Sequence, residues 1–179
     1  MKLVTQYLLI ALALSLLAFA SDTLSEWSIA DDYEVKFSGS GAEGTFQGLR
    51  GTIIFDSSAP EQAQFNIILD ATTIDTGNKT KNKHARGDSW FDVEQYPEIR
   101  FRSTQVKALS DSYQMIGMLT LHGIKKEISF PFSFTQSSDT GLFKGSFTVD
   151  REKYGIKGPL LGFLVGDDFE VNLSVPVKK

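Results

Sequence analysis

The chain has 179 residues, no cysteine, a formal net charge of −4 and 41% hydrophobic residues. The absence of thiols excludes a disulfide framework, thiolate catalysis, zinc–cysteine sites and a lipid-modified N-terminal cysteine. An acidic balance with no dominant basic patch argues against nucleic acid as a partner.

The first predicted element is a cleavable leader. Lys2 gives a positive start, Leu8 to Leu17 an apolar run, and Ala18-Phe19-Ala20 the small-x-small pattern of a signal peptidase site before Ser21. The apolar stretch of about 14 residues falls short of the ~20 that cross a bilayer as a helix. Residues 1–20 therefore read as a signal peptide and 21–179 as one domain, placed in the periplasm or secreted. Lys2 is the one charge in the leader, so the remainder carries 17 basic and 22 acidic side chains. About 159 residues suffice for a single large core or a lined cavity.

From Trp27 onward the pattern is alternation. Ile53/Phe55, Ala63/Phe65/Ile67/Leu69/Ala71, Ile99/Phe101 and Ile128/Phe130/Phe132/Phe134 each place apolar groups two apart, as do Phe143/Phe147/Val149 and Phe169 through Val177. A period of two makes one strand face dry and the other wet. Turn-forming stretches such as Gly39-Ser40-Gly41, Ser110-Asp111-Ser112 and Ser137-Ser138-Asp139 separate these runs. The chain is thus predicted all-β, an antiparallel sandwich or barrel.

The strand pattern fades between Asp75 and Pro97. Asn78 to Arg86 is predicted to form a short helical crossover, capped by Asp75 or Thr76, with Trp90, Phe91 and Val93 plugging it against the barrel. Further on, Lys157 to Asp168 is an apolar loop flanked by charge, which reads equally as a lid over a portal or as a buried strand start.

Phenylalanine is the informative residue type, 14 against 5 Tyr and 2 Trp. Dry faces without polar handles either fill a solid core or line a lumen for a hydrocarbon guest, and a barrel of about eight strands is wide enough for both. Periodicity alone does not choose between them.

Several motifs occur in order: Ile74-Asp75-Thr76-Gly77-Asn78, His84-Ala85-Arg86, Trp90-Phe91-Asp92-Val93 followed by Tyr96-Pro97-Glu98-Ile99-Arg100-Phe101-Arg102-Ser103, Gly117-Met118-Leu119-Thr120 with Gly123-Ile124, and Asp150-Arg151-Glu152-Lys153-Tyr154-Gly155. Together they resemble the YceI-like family of exported bacterial proteins over nearly the whole domain. The resemblance implies a lipocalin-like barrel of eight antiparallel strands, a long pore holding a polyisoprenoid chain, and no catalytic activity. It also marks departures. Ala85 stands for a leucine, Trp90 for the first phenylalanine of a pair, and residues 30–41 lack the histidines that members commonly carry near the first strand.

With that implication the predicted lumen lining is Phe55, Phe65 and Ile67, then Phe101, then Ile128, Phe130 and Phe132, and finally Phe147 and Val171. His84 and Arg86 are candidates for a phosphate or quinone oxygen at the mouth, because a guanidinium offers forked donors. The structural reading, capping of the crossover or pairing with Asp88 or Asp92, is the favoured one for this pair. His122 reads as a turn residue, and two separated histidines give no metal signature. No Gly-x-Ser-x-Gly elbow or Gly-rich phosphate loop is present, so catalysis is not expected.

The resulting expectation is binding, transport or sequestration of a quinone- or polyprenyl-type lipid outside the cytoplasm, with transient membrane contact, no cofactor and no nucleic acid. The rival reading is a solid-core envelope protein acting through its surface.

Overall fold

The computed structural model describes residues 25–158 and 165–179; the predicted leader and residues 159–164 of the predicted apolar loop lie outside them. Among the described residues there are ten strands. They are β1 (Glu26–Ile29), β2 (Glu34–Gly39), β3 (Ala42–Phe46), β4 (Arg50–Ile54), β5 (Gln64–Asp70), β6 (Glu98–Ala108), β7 (Tyr113–Leu121), β8 (Ile124–Ser137), β9 (Thr140–Asp150) and β10 (Asp168–Lys178). One α-helix, α1 (Lys79–Arg86), sits in the crossover between β5 and β6. The fold is a closed, antiparallel, eight-stranded barrel. Its ring runs β1-β4-β5-β6-β7-β8-β9-β10 and returns to β1, while β2 and β3 extend it beside β10.

Ten strands make eight staves because two staves are broken. β10 pairs with β2 through Phe169–Ser174 and with β1 through Val177 and Lys178, so β1 and β2 are successive halves of one stave. β3 and β4 are related in the same way, facing β2 and β1 respectively. The second break needs Gly48, whose φ of 71° is a backbone conformation that few side chains tolerate. The two breaks are tied together where the Leu49 N–H donates to the Tyr33 hydroxyl at 3.0 Å.

Alternation along the strands sets which side chains point inward, with one shift. β6 carries a bulge between Ser103 and Gln105, so Ile99 and Phe101 face in before it and Val106 faces in after it. A second irregularity lies between β8 and β9. Their ladder runs from Ser137↔Thr140 only to Phe132↔Gly145, and beyond it Ile124–Pro131 pairs with β7 alone. Pro131, with no amide hydrogen to donate, stands where the strands part. Side chains close this seam instead, with Phe130 stacked on Phe147 at 4.8 Å.

One end of the barrel is solid. Phe55 is fully buried, and the rings of Phe134, Tyr113, Phe143, Phe132 and Phe65 surround it at 5.0–6.1 Å. Most of these contacts are edge-to-face, the arrangement the ring quadrupoles favour, worth about 0.5–1.5 kcal/mol per pair beyond buried area. Trp27 closes the floor, its indole N–H donating to the Phe55 carbonyl at 2.9 Å.

Glycines on the inner wall make room for rings on neighbouring strands. Gly117 on β7 lies under Phe101, and a Cβ added there would also come within 2.6 Å of the Arg102 carbonyl oxygen. Because part of that obstacle is backbone, Gly117→Ala is expected to cost about 1–3 kcal/mol by overpacking. Urea denaturation should show a lower midpoint with unchanged slope; an unchanged midpoint would mean that the wall yields more easily than its geometry indicates.

Candidate functional site

Above the aromatic floor the inward side chains stop touching across the axis. They enclose a cavity of about 490 Å³ that reaches from Phe65, Phe132 and Phe143 up to the crossover. Phe101, Ile128, Phe147 and Val171 point inward yet are only half-buried, whereas Phe55, Val106 and Val177 in the solid half are 0–2% exposed. The chain thus has both interiors that its composition allowed, one filled and one open. Nearly every side chain on the cavity wall is apolar. The polar ones on it are Thr76, Lys81 and His84 at the crossover, Arg151 near the last loop, and Lys144 on β9.

Nine of the eleven candidate residues border this cavity: Phe65, Ile67, Phe101, Ile128, Phe130, Phe132, Phe147, Val171 and His84. Phe55 does not, because it is the centre of the aromatic floor. Arg86 does not either. Its Nε donates to the Thr72 carbonyl at 2.6 Å and an Nη to the Ile74 carbonyl at 2.9 Å, so it pins α1 to the end of β5 rather than pairing with Asp88 or Asp92. Sequence reasoning missed Val35, Phe37, Phe46, Phe91, Leu119 and Leu121, which also face the cavity. Val35 and Phe37 were legible as a short alternation, and they occupy the stretch where the resemblance leads one to expect histidines.

The mouth is organised by α1. Asn78, not Asp75 or Thr76, is its N-cap: the Asn78 Oδ1 accepts from the amides of Thr80 and Lys81 at 2.9 and 3.0 Å. Asp75 instead secures the approach, accepting from the Gly77 amide and from the Asn82 side chain, while its backbone bridges to Thr45 on β3. These two hydrogen bonds, with the Asn82 one the larger influence, hold the Asp75 carboxyl below the ordinary carboxylate range. Ala85 packs inward, and Lys81 and His84 are exposed side chains that also border the cavity, marking its rim. Past the helix, Phe91 packs edge-on against Phe46 at 5.6 Å and Trp90 joins the cluster around Tyr154 and Ile156. Val93, expected beside them, belongs to none of the core clusters.

The far side of the rim is built on Arg151, which is 6% exposed. Its guanidinium donates to the carbonyls of Ile156, Gly166 and Val165 and to the Asp167 carboxylate at 2.7 Å, and it lies 5.4 Å from the centre of the Trp90 ring. Four acceptors and an aromatic face make this buried charge tenable. His122 occupies the β7–β8 turn with φ 50°, and its Nδ1 meets the Tyr154 carbonyl at 3.2 Å. Among the described residues no three His, Asp or Glu side chains come together in a way that would hold a metal.

A family model described as a YceI-like domain matches residues 27–177. The chain belongs to the YceI-like family. A Yersinia pestis (strain Pestoides F) relative named "UPF0312 protein" is 32% identical over 109 residues, 60% of this chain and 57% of that one. The match thus spans just over half of that relative's length. Among solved structures, Burkholderia cenocepacia BcnA superposes with a TM-score of 0.76 at 22% identity, covering 80% of this chain and 95% of that one. A polyisoprenoid binding domain from Saccharophagus degradans superposes at 0.64 with 14% identity, covering 87% and 99%. At such identities the likeness is one of fold.

The YceI-like motifs in this chain supply part of the cavity wall, among them Ile74, Phe91, Ile99 and Phe101, and much of the scaffold around its mouth. Thr76-Gly77-Asn78 turns the backbone and caps α1, Arg86 clamps it, and the Ala71 amide donates to the Pro97 carbonyl, closing the crossover. Arg151, Tyr154 and Gly155 turn the backbone that follows β9, Gly155 with φ 74°.

Two outcomes follow. Arg151→Met leaves three carbonyls short of a donor and is expected to cost about 2–3 kcal/mol, whereas Asp167→Asn, at a 56% exposed side chain, should cost about 1 kcal/mol or less. Equal losses in chemical denaturation would show that the ion pair rather than the carbonyls carries Arg151. Asp75 stabilises the fold above the ordinary carboxylate pKa, and that contribution disappears as pH falls through its lowered folded value. Asp75→Asn should therefore lose less melting temperature than the parent chain between neutral and acid pH; parallel losses would remove Asp75 from the acid response.

Proposed function

We propose that this protein binds a long apolar lipid of the isoprenoid type, a quinone or polyprenyl derivative, and carries or sequesters it outside the cytoplasm. The observation that supports this most directly is the cavity, apolar along its length and polar only toward its edges. A hydrocarbon chain offers area and nothing else to recognise. Each methylene taken out of water contributes about 0.8 kcal/mol before entropic costs, so a continuous dry wall is all the recognition such a guest needs. The polyisoprenoid binding domain from Saccharophagus degradans, which has the same fold, favours this class of chain. The leader-like first 20 residues favour an exported protein.

An unfilled apolar cavity is itself unfavourable. Its lining side chains lack packing partners on one side and so forgo dispersion contacts. A guest restores the missing contacts, so loading and stability are coupled.

Solvent extraction of protein purified from membrane-containing cells, followed by mass spectrometry, should yield a stoichiometric prenyl lipid. Reloading stripped protein with a prenyl alcohol should raise its melting temperature. Val171→Trp and Ile128→Trp, each filling the chamber from one wall, should lower prenyl uptake at least about tenfold while the protein stays folded. If stripped protein takes up no prenyl chain, or if both tryptophan variants load as well as the parent, the proposal is wrong.

A further inference from the structure

The charge on α1 has no structural employment. Lys79, Lys81, Lys83 and His84 are all exposed, and none of the three lysines makes an ion pair among the described residues. No acidic residue lies between Lys79 and Gly87, although the chain as a whole is acidic. Lys79 and Lys81 stand in the first turn of the helix, where the positive end of the macrodipole repels cations. A folding role would place carboxylates there.

Their arrangement points outward and to the rim at once. Lys79 and Lys83 are one turn apart and share a side of the helix. Lys81 and His84, three apart, share another, and both border the cavity. Arg86 and Asn82, by contrast, are occupied in fastening α1 to residues 72–76. The clamped side thus leaves the lysines free to face a partner.

We infer that α1 is a docking surface for a bilayer bearing anionic lipids, which presents the cavity mouth to the membrane. The inference rests on the lipid-binding reading above, because a guest that lives in a bilayer has to enter from one. Charge complementarity selects the partner. Clustered lysines beside an apolar opening fit a surface of lipid phosphates, which attracts each nearby lysine over about a Debye length. The helix needs no apolar face of its own for this, since the contact is electrostatic and reversible.

The test uses the full-length protein, with flotation on vesicles of phosphatidylglycerol and phosphatidylcholine in equal parts. The protein should float with these vesicles, remain behind with phosphatidylcholine alone, and be released by raised salt. Lys79→Gln/Lys83→Gln, which leaves every cavity-bordering residue in place, should weaken partitioning roughly thirtyfold, about fivefold per lysine. The equal charge change Lys107→Gln/Lys178→Gln, at the opposite end of the barrel, should shift it less than about twofold. Absence of flotation, equal flotation on both vesicle types, or a Lys79/Lys83 variant that partitions like the parent would each overturn the inference. Uptake of prenyl alcohol from solution is measured in parallel. Uptake without vesicle binding refutes the docking surface and spares the lipid-binding reading; vesicle binding without uptake refutes the reading.

Discussion

The packing of rings around Phe55 is the interaction on which the rest of the barrel depends. A closed ring of strands needs its inward side chains to hold the wall together, and here that work is concentrated at one end. Six aromatic side chains and the Trp27 hydrogen bond fasten β1, β4, β5, β7, β8 and β9 to a common centre. With closure secured there, the other half of the barrel can leave its axis unfilled. The open half has rings of its own, among them Phe37, Phe46, Phe91, Phe101, Phe130 and Phe147, but they line the cavity instead of packing on one centre.

The upper half is held by different means. Beside ring pairs such as Phe46 with Phe91, polar clamps hold it: Asp75 to Asn82, Arg86 to two carbonyls, Arg151 to three carbonyls and one carboxylate. Each clamp fixes a connecting segment across the mouth without filling the chamber behind it. The family motifs serve both parts: Asn78, Arg86 and Arg151 belong to the clamps, while Ile74, Phe91, Ile99, Phe101 and Leu119 belong to the apolar wall. The clamps need particular polar groups, while the wall needs only side chains that are apolar and of suitable size.

Much of this was readable beforehand. The period of two located the staves from β4 onward, the Phe-rich faces identified the wall, and the fading of alternation after Asp75 marked the crossover. Phe55 and Phe65 illustrate the limit. They look alike in sequence, each on an alternating strand, yet one is the plug and the other a chamber wall, because height along the axis is set by strand stagger. β7 hid its inward set of Met115, Leu119 and Leu121 because Ile116 and Met118 are apolar on the outer side as well. Val106 was hidden by the bulge, which inverts the alternation midway along β6. The broken staves escaped notice because four- and five-residue strands give too few alternations to register. Arg86 carries the structural role weighed for it, but sequence shows only a guanidinium's capacity to bind, not that its acceptors are the Thr72 and Ile74 carbonyls instead of Asp88 or Asp92.

The parted ladder between β8 and β9 bears on how large a guest the chamber accepts. In a fully laced barrel, strand number and stagger fix the girth, and widening it means breaking backbone hydrogen bonds. Here the upper part of β8 is laced to β7 alone, and side chains, among them the stacked pair Phe130 and Phe147, span the gap. Sliding one ring over the other changes the circumference with every ladder bond intact. For the proposed lipid carrier this would act like a garment with one open placket, fitting occupants of different bulk on a single frame.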